Sequence, residues 1–273
     1  MTGKAMLVDA HAHLDGYDEI GPAALDAALE ETARHRIFTI ANSMDVPSYD
    51  RSVAIAARSP WVLPAFGIHP WNAHRYAGRT AELVGLMERS PLFGEIGLDR
   101  FFVRDRSRYD AQQEVFESFL GAAKAQAKIV IVHVKGAERE ALETLDRFAP
   151  LRVVIHWYSG PIDVFREMAG RGFFFTVGCE VMRLEKIRKI AREVPAARLL
   201  TETDNPGGPK SVFGRPGTPS LVPLIVQALA QVRGTTSEET AATVRANLDG
   251  LFRDDARLSG VLASVPDRGE GAP

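Results

Sequence analysis

Short runs of apolar residues recur along the chain, and most of the segments between them show a helical pattern. The run IVIVHV at Ile129–Val134 is typical of a strand buried on both faces, because a strand with one wet face alternates apolar and polar residues. Runs of this kind predict eight strands, namely Met6–Asp9, Ile37–Ser43, Val62–His69, Phe93–Asp99, Ile129–Val134, Val153–Tyr158, Phe173–Gly178 and Leu199–Asp204.

Between these strands, apolar residues recur every three or four positions, as they do on the buried face of a helix. Three such sets are Leu25 with Ala28, Leu29, Thr32 and Ala33, then Phe116 with Phe119, Leu120 and Ala123, and finally Leu221 with Leu224, Ile225, Ala228 and Leu229. Strand and helix therefore alternate, which predicts an α/β fold with a parallel sheet. Eight such units favour a closed (β/α)₈ TIM barrel, and a doubly wound open sheet is the alternative. No GxGxxG motif follows the first strand, which disfavours dinucleotide binding.

Length and charge limit the classes of protein that fit. The 273 residues suffice for one barrel domain, which we expect over 1–264, with a flexible tail over 265–273. The net charge of −2 supplies no overall basic field, so local charges or metal ions must bind any polyanion. The single cysteine, Cys179, excludes an intrachain disulfide. No secretory leader or membrane span is recognised, so we expect a cytoplasmic protein without a membrane association.

Ionisable residues gather where the predicted strands end. The first strand runs into the segment DAHAHLD, and single ionisable residues mark five further strands; the set is His11, His13, His69, Glu95, His133, His156 and Asp204. Because the carboxyl ends of parallel strands share one rim of a barrel, we expect these side chains to lie together. His11 and His13 are two apart on an extended segment, so their rings point the same way. Burying so many ionisable groups is costly unless they are paired or bind metal, and histidine with carboxylate suits Zn²⁺, Mn²⁺ or Mg²⁺.

These residues also carry a family resemblance. The segments DAHAHLD, FGIHP, GEIGLD, QQEVF, VIVHVK, VIHWYSG and ETDNP occur in this order, followed by a last helix with Asn247 and Leu251-Phe252. From about Leu7 to Phe252 the chain resembles the TatD family of metal-dependent hydrolases, among the amidohydrolase-like barrels. The resemblance implies two divalent cations and hydrolysis of phosphodiesters, with DNase action as the type and activity on D-aminoacyl-tRNA also assigned in the family.

The resemblance implies a ligand set, residue by residue. One cation is held by His11, His13, Glu95 and Asp204, and the second by Glu95, His133 and His156. Glu95 is then a bridging ligand, and Asp204, which belongs to one ion, is assigned as the general base. Asp99 closes GEIGLD and either orients a ligand or caps a helix.

The chain departs from the family pattern where the substrate is expected. Lys135 stands where arginine is usual, Trp71 where histidine is frequent, and Trp157 and Tyr158 follow His156 in place of cysteine and phenylalanine. Lysine holds a phosphate as a point charge but does not form the bidentate fork of arginine. The segment RFFVRDRSRY at 100–109 interleaves arginines with rings, as in single-strand binding. We therefore expect His69, Lys135 and Arg100 to bind substrate.

Three functions remain open at this stage. The first is a phosphodiesterase or deoxyribonuclease, with 3′-5′ exonuclease action on single-stranded DNA. The second is an amidohydrolase-type enzyme that cleaves a small amide, ester or lactone, since such a site polarises a carbonyl as readily as a phosphoryl group. The third is a non-catalytic metal-holding scaffold, which the complete ligand set disfavours. The sequence indicates no protein partner.

Overall fold

A computed structural model describes residues 6–266 of the chain. Its eight strands are β1 Leu7–Ala12, β2 Ile37–Asn42, β3 Val62–Ala65, β4 Phe93–Asp99, β5 Ile129–Lys135, β6 Arg152–His156, β7 Phe174–Val177 and β8 Leu199–Thr201. All eight strands expected from the apolar runs are therefore present.

Only β4 has the expected bounds, and the differences at β1, β3 and β8 each move a candidate ligand or substrate residue into or out of a strand. β1 continues to Ala12, through a register shift after Asp9, so His11 lies within the strand and not beyond it. β3 ends at Ala65 and β8 at Thr201, which leaves His69 and Asp204 in the loops that follow. Apolar composition does not report where backbone pairing stops, and both segments stay buried past the last paired residue.

The helices lie between and after the strands. They are α1 Pro22–His35, α2 Val46–Ala56, α3 Val84–Arg89, α4 Tyr109–Gln126, α5 Glu138–Phe148, α6 Ile162–Gly170, α7 Glu185–Glu193, α8 Pro209–Phe213, α9 Leu221–Arg233, α10 Ser237–Arg253 and α11 Val261–Ser264. Short 3₁₀ helices cover Leu14–Glu19, Ala73–Arg75, Thr80–Leu83, Arg106–Arg108, Cys179–Met182 and Ala196–Arg198. Within 6–266, no helix is long and apolar enough to cross a membrane.

The strands form parallel sheets in sequence order, β1-β2-β3 and β4-β5-β6-β7-β8. The register places His133 of β5 opposite His156 of β6. Phe66, just after β3, pairs with Phe93 of β4. At the other end, the Thr201 hydroxyl of β8 donates to the Val8 carbonyl of β1 at 2.5 Å. Consecutive strands of the chain are therefore neighbours, as expected when strand–helix units follow one another.

The chain forms two compact units. Of the described residues, the terminal unit contains 6–41, Arg51–Leu63 and 176–266, and the central unit contains Asn42–Asp50 and Pro64–Phe175. Rings fill the core of each: Phe38 packs on Phe252 in the terminal unit. In the central unit, the Phe119 ring lies 5.4 Å from that of Phe66 and 5.2 Å from that of Phe93.

The expected buried face of α9 is partly wrong. Ile225 and Leu229 are buried as expected, but the face is completed by Val222, Val226 and Ala230, and Leu224 is exposed. The segment LVPLIVQALAQVR is apolar on most of its circumference, so its sequence alone does not determine which stripe meets the core. Of the expected tail, Val265 is buried, Pro266 is exposed and 267–273 lie outside the described residues, so the division at 264 stays a prediction.

Phe119→Ala is expected to lower the free energy of unfolding by about 3–5 kcal/mol, because it removes a buried ring and leaves a cavity between Phe66 and Phe93. Denaturant titration followed by circular dichroism measures the loss. Val84→Ala, on an exposed position of α3, is the control and should change stability by no more than about 0.5 kcal/mol. Equal effects of the two changes would contradict this core.

Candidate metal centre

Two histidines and an aspartate meet in the terminal unit at the end of β1. The Nε2 atoms of His11 and His13 are 3.2 Å apart, so the two rings do point to one place as their spacing predicts. The Asp204 Oδ1 atom lies 3.7 Å from the first of these nitrogens and 3.4 Å from the second. Backbone bonds fix the arrangement, since the Asp204 amide donates to the His11 carbonyl at 2.9 Å. Three potential ligands of one cation are therefore held side by side.

Asp9 supports this cluster from inside the terminal unit. Its buried carboxylate accepts hydrogen bonds from the Thr203 amide at 2.8 Å and the Thr203 hydroxyl at 2.5 Å, which ties β1 to the residue before Asp204. Burial raises the pKa of Asp9 to about 7, and the charge of Glu202 acts in the same direction. Glu202 is fully buried, with a carboxylate oxygen within 4.8 Å of a His11 ring nitrogen. Sequence reasoning assigned neither acid, although both stand inside the quoted motifs DAHAHLD and ETDNP.

The central unit brings three imidazoles to one carboxylate oxygen. Glu95 Oε1 lies 2.8 Å from His133 Nδ1, 3.2 Å from His156 Nε2 and 3.3 Å from His69 Nε2. Glu95 is buried, and the ligand atoms of Glu95, His69 and His133 all lie within 4.8 Å of one another. A buried carboxylate among imidazoles is a set of hard and borderline donors that fits a divalent cation.

Both ring nitrogens of His69 face other groups of the protein. Its Nδ1 atom accepts a hydrogen bond from the Trp71 amide at 3.2 Å, so the neutral ring carries its proton on Nε2, which faces Glu95. His69 is therefore suited to orient the Glu95 carboxylate. Its expected contact with substrate stays a prediction.

Asp99 fixes the ring of His133. Asp99 Oδ2 lies 3.2 Å from His133 Nε2 and accepts from the Trp71 indole at 2.8 Å, while Oδ1 accepts from the amides of Phe101 and Phe102. Burial alone would raise the pKa of Asp99, but these bonds outweigh it and hold the pKa below its usual range. Burial likewise works to lower the pKa of His133, yet its bonds to Asp99 and Glu95 raise it. Of the two roles considered for Asp99, the contact with His133 is the one present.

Two glycines allow the backbone to approach these acids. A Cβ atom on Gly67 would overlap the backbone of Glu95, and one on Gly97 would overlap the carbonyl of His133. Gly97 also has a φ of +144°, which strongly favours glycine. Any side chain at either position would displace Glu95 or His133, which explains the glycine of FGIHP and the second glycine of GEIGLD.

The expected substrate residues already have partners within the protein. Lys135 Nζ donates to the Ser159 hydroxyl at 2.5 Å, and Ser159 was not singled out from the sequence. Arg100 bonds to Glu140 at 2.6 Å and to Gln112 at 2.7 Å, and it lies over the Tyr109 ring. Binding of substrate by Arg100 would require exchange of these bonds.

Tyr158, inside the segment VIHWYSG, and Cys179 are parts of the core. Tyr158 is buried against Phe165 and Phe175, with its hydroxyl bonded to the Pro161 carbonyl, so it offers no open stacking surface. Burial raises the pKa of the Cys179 thiol to about 12. At neutral pH that thiol is protonated and is a poor nucleophile.

Comparison with known proteins gives consistent matches along most of the chain. The model of the family described as TatD related DNase matches residues 8–253. The uncharacterized metal-dependent hydrolase YabD of Bacillus subtilis is 28% identical over 258 residues, covering 91% of this chain and 99% of YabD. The 3′-5′ ssDNA/RNA exonuclease TatD of Erwinia tasmaniensis is 30% identical over 199 residues, covering 68% of this chain and 76% of that protein.

Solved structures share the fold. YjjV, a TatD homologue from Escherichia coli K12, superposes with a TM-score of 0.80 at 26% identity, covering 90% of this chain and 98% of YjjV. An uncharacterized amidohydrolase from Saccharomyces cerevisiae gives 0.78 at 15% identity, which concerns the fold alone. The expected fold class, a (β/α)₈ TIM barrel, is thereby confirmed over the doubly wound sheet.

Asp99→Asn is expected to weaken binding of a divalent cation by roughly ten- to a hundredfold, because it removes the charge that orients His133. Titration of the metal-free protein against a chelating dye measures the affinity. Trp71→Phe removes only the indole bond to the same carboxylate and is expected to have a smaller effect. Unchanged affinity in Asp99→Asn would contradict the role given to Asp99.

Proposed function

Because the chain belongs to the TatD-related DNase family of metal-dependent hydrolases, we propose that it is a phosphodiesterase acting as a 3′-5′ exonuclease on single-stranded DNA. The observation that carries the proposal is the buried Glu95 carboxylate with three imidazoles around one oxygen. Burying an ionised carboxylate among imidazoles costs free energy unless the groups bind a cation, so the arrangement favours metal binding. Membership of the family establishes that the protein is a metal-dependent hydrolase. The proposal concerns the bond that it cleaves, a phosphodiester, and the substrate, single-stranded DNA.

The donor sets fit divalent cations of the Zn²⁺, Mn²⁺ or Mg²⁺ kind. The family resemblance assigns one cation to His11, His13, Glu95 and Asp204, and a second to Glu95, His133 and His156. Within the terminal unit His11, His13 and Asp204 converge. Within the central unit His133 and His156 converge on Glu95. When bound, two such cations supply Lewis-acid activation of water and of the phosphoryl group.

The protein's own groups then orient and move protons. Asp204 is 20% exposed and has a left-handed φ of 55°, which turns the chain sharply just after β8. A partly open carboxylate on a constrained turn suits the general base that accepts the proton of the attacking water at its Oδ atoms. Glu95 holds position through His69, and His133 through Asp99, so neither ligand needs to reorganise.

The central unit has a local cluster of positive charge that suits a single-stranded nucleic acid, although the protein as a whole has no positive net charge. The segment 100–109 holds four arginines against one aspartate, although the net charge of the protein is −2. Lys135, two residues beyond His133, offers a point charge for a phosphate. The Erwinia protein named as an exonuclease on ssDNA and RNA supports the same substrate class. The cytoplasm remains the expected compartment, supported by the lone buried cysteine.

The decisive assay is release of the label from a 3′-labelled single-stranded oligonucleotide in Mg²⁺ or Mn²⁺. We expect release by the wild-type protein, loss of release with a chelator and its return on adding the metal. In the His133→Ala, Asp204→Ala double variant, activity should fall by at least about a hundredfold, since one ligand of each cation is removed. His74→Ala, which changes an exposed histidine, is the control and should retain activity.

A parallel 5′-labelled strand separates the modes of cleavage, because an exonuclease from the 3′ end yields a ladder of shortened products. No cleavage by a protein that holds its cations would contradict the nuclease. Turnover would then be sought on small amides, esters and lactones, the alternative class for this site.

A further inference from the structure

Three aromatic side chains of the central unit are exposed side by side. Trp71, Phe101 and Phe102 have 42%, 54% and 57% of their surface accessible, unusually much for such large rings. The Phe102 ring lies 5.8 Å from that of Trp71 and 4.9 Å from that of Phe101, and both pairs meet edge to face. We call these three side chains the aromatic platform.

The platform is fixed to the candidate metal centre through one carboxylate. Asp99 accepts hydrogen bonds from the Trp71 indole at 2.8 Å, from the Phe101 amide at 2.8 Å and from the Phe102 amide at 2.7 Å. The same Asp99 side chain lies 3.2 Å from His133. The Trp71 ring also packs edge to face on His69, at 4.8 Å between centroids. These bonds hold the Trp71 ring and the backbone of Phe101 and Phe102, while all three rings stay exposed. A group resting on the platform therefore lies beside the candidate ligands.

Positive charge borders the platform. Lys135 Nζ lies 6.0 Å from the centre of the Phe101 ring and is held there by the Ser159 hydroxyl. Exposed Arg104 and Arg106 follow Phe102 on the same segment. An apolar surface with flat rings next to a fixed ammonium group matches one repeat of a single strand, a base followed by its phosphate.

We propose that the aromatic platform stacks a base of a single-stranded nucleic acid next to the bond that is cleaved, while Lys135 and Ser159 bind that nucleotide's phosphate. The proposal rests on the proposed nuclease function and adds the residues that hold the strand. A protein partner fits less well, because occupation of the platform would cover the ring of Trp71 beside His69 and hinder access to the ligands. Stacking accepts any base, so this subsite favours unpaired strands without selecting a sequence.

Stacking is tested by binding alone, with metal-free wild-type protein and an oligonucleotide that carries 2-aminopurine near its 3′ end. We expect the protein to quench the 2-aminopurine fluorescence. The Phe101→Leu, Phe102→Leu double variant keeps apolar side chains but removes both rings, and should lose the quenching and bind about tenfold more weakly. Val84→Ala, at another exposed apolar position, is the control that should behave as wild type. Equal quenching by the double variant, or no binding by wild type, would overturn the proposal.

The phosphate contact of Lys135 is tested by the salt dependence of binding. Lys135→Met should weaken binding and reduce the slope of log affinity against log salt concentration by about 0.7, the value for one phosphate of a single strand. Ser159→Ala should give a smaller loss with the same slope, since it removes a neutral hydroxyl that contacts the phosphate and positions Lys135 but removes no charge. A slope unchanged by Lys135→Met would remove the phosphate contact from the proposal.

Turnover separates this inference from the nuclease function on which it rests. With the metal-loaded protein, the ratio of kcat/KM for an intact strand to that for a strand abasic near its 3′ end should be about ten for wild type and fall toward one in the Phe101→Leu, Phe102→Leu double variant. A wild-type protein that cleaves both strands equally would contradict the platform alone. A wild-type protein that cleaves neither would contradict the nuclease function.

Discussion

The structure of this site depends on one buried carboxylate. Glu95 lies among His69, His133 and His156, and each imidazole places a nitrogen within 3.3 Å of the same oxygen. The cost of burying that charge is large unless cations or protons on the rings compensate for it. The surrounding features follow from this requirement: Gly67 and Gly97 let the backbone come close, and Asp99 keeps the facing ring in position.

Much of this arrangement was visible in the sequence, because it follows from periodicity and from chemistry at strand ends. Apolar runs predicted all eight strands, and the spacing of His11 and His13 predicted that their rings converge. The resemblance to a known family was confirmed, whereas the assignment of ligands to two cations remains a proposal. The division of the chain at 264 is likewise untested.

The remaining features depend on tertiary contacts that no local pattern encodes. The sequence shows Asp9 only as one more polar residue of a motif, but its bonds to Thr203 join β1 to the loop after β8, which is far away in the sequence. Ser159 and Lys135 are brought together across neighbouring strands, and Arg100 is engaged by Glu140 of the next helix. The uniform apolar composition of α9 hid which of its faces is buried. Side-chain partners of this kind decide whether a charged residue is available to a substrate.

Different residues serve the reaction and the selection of substrate. The family resemblance implies the candidate ligands, and it leads one to expect histidine and arginine where this chain carries Trp71 and Lys135. Both of these residues lie at the aromatic platform, Trp71 as part of it and Lys135 at its edge. Barrel enzymes reach different substrates by changing the residues of the loops around the reaction centre.

The most direct test of the central claim is an anomalous-scattering crystal structure of the protein grown with Mn²⁺. The account predicts anomalous density at Glu95 in contact with His133 and His156, and further density at His11 and His13. Crystals in which Mn²⁺ binds elsewhere, with none beside Glu95, would contradict it.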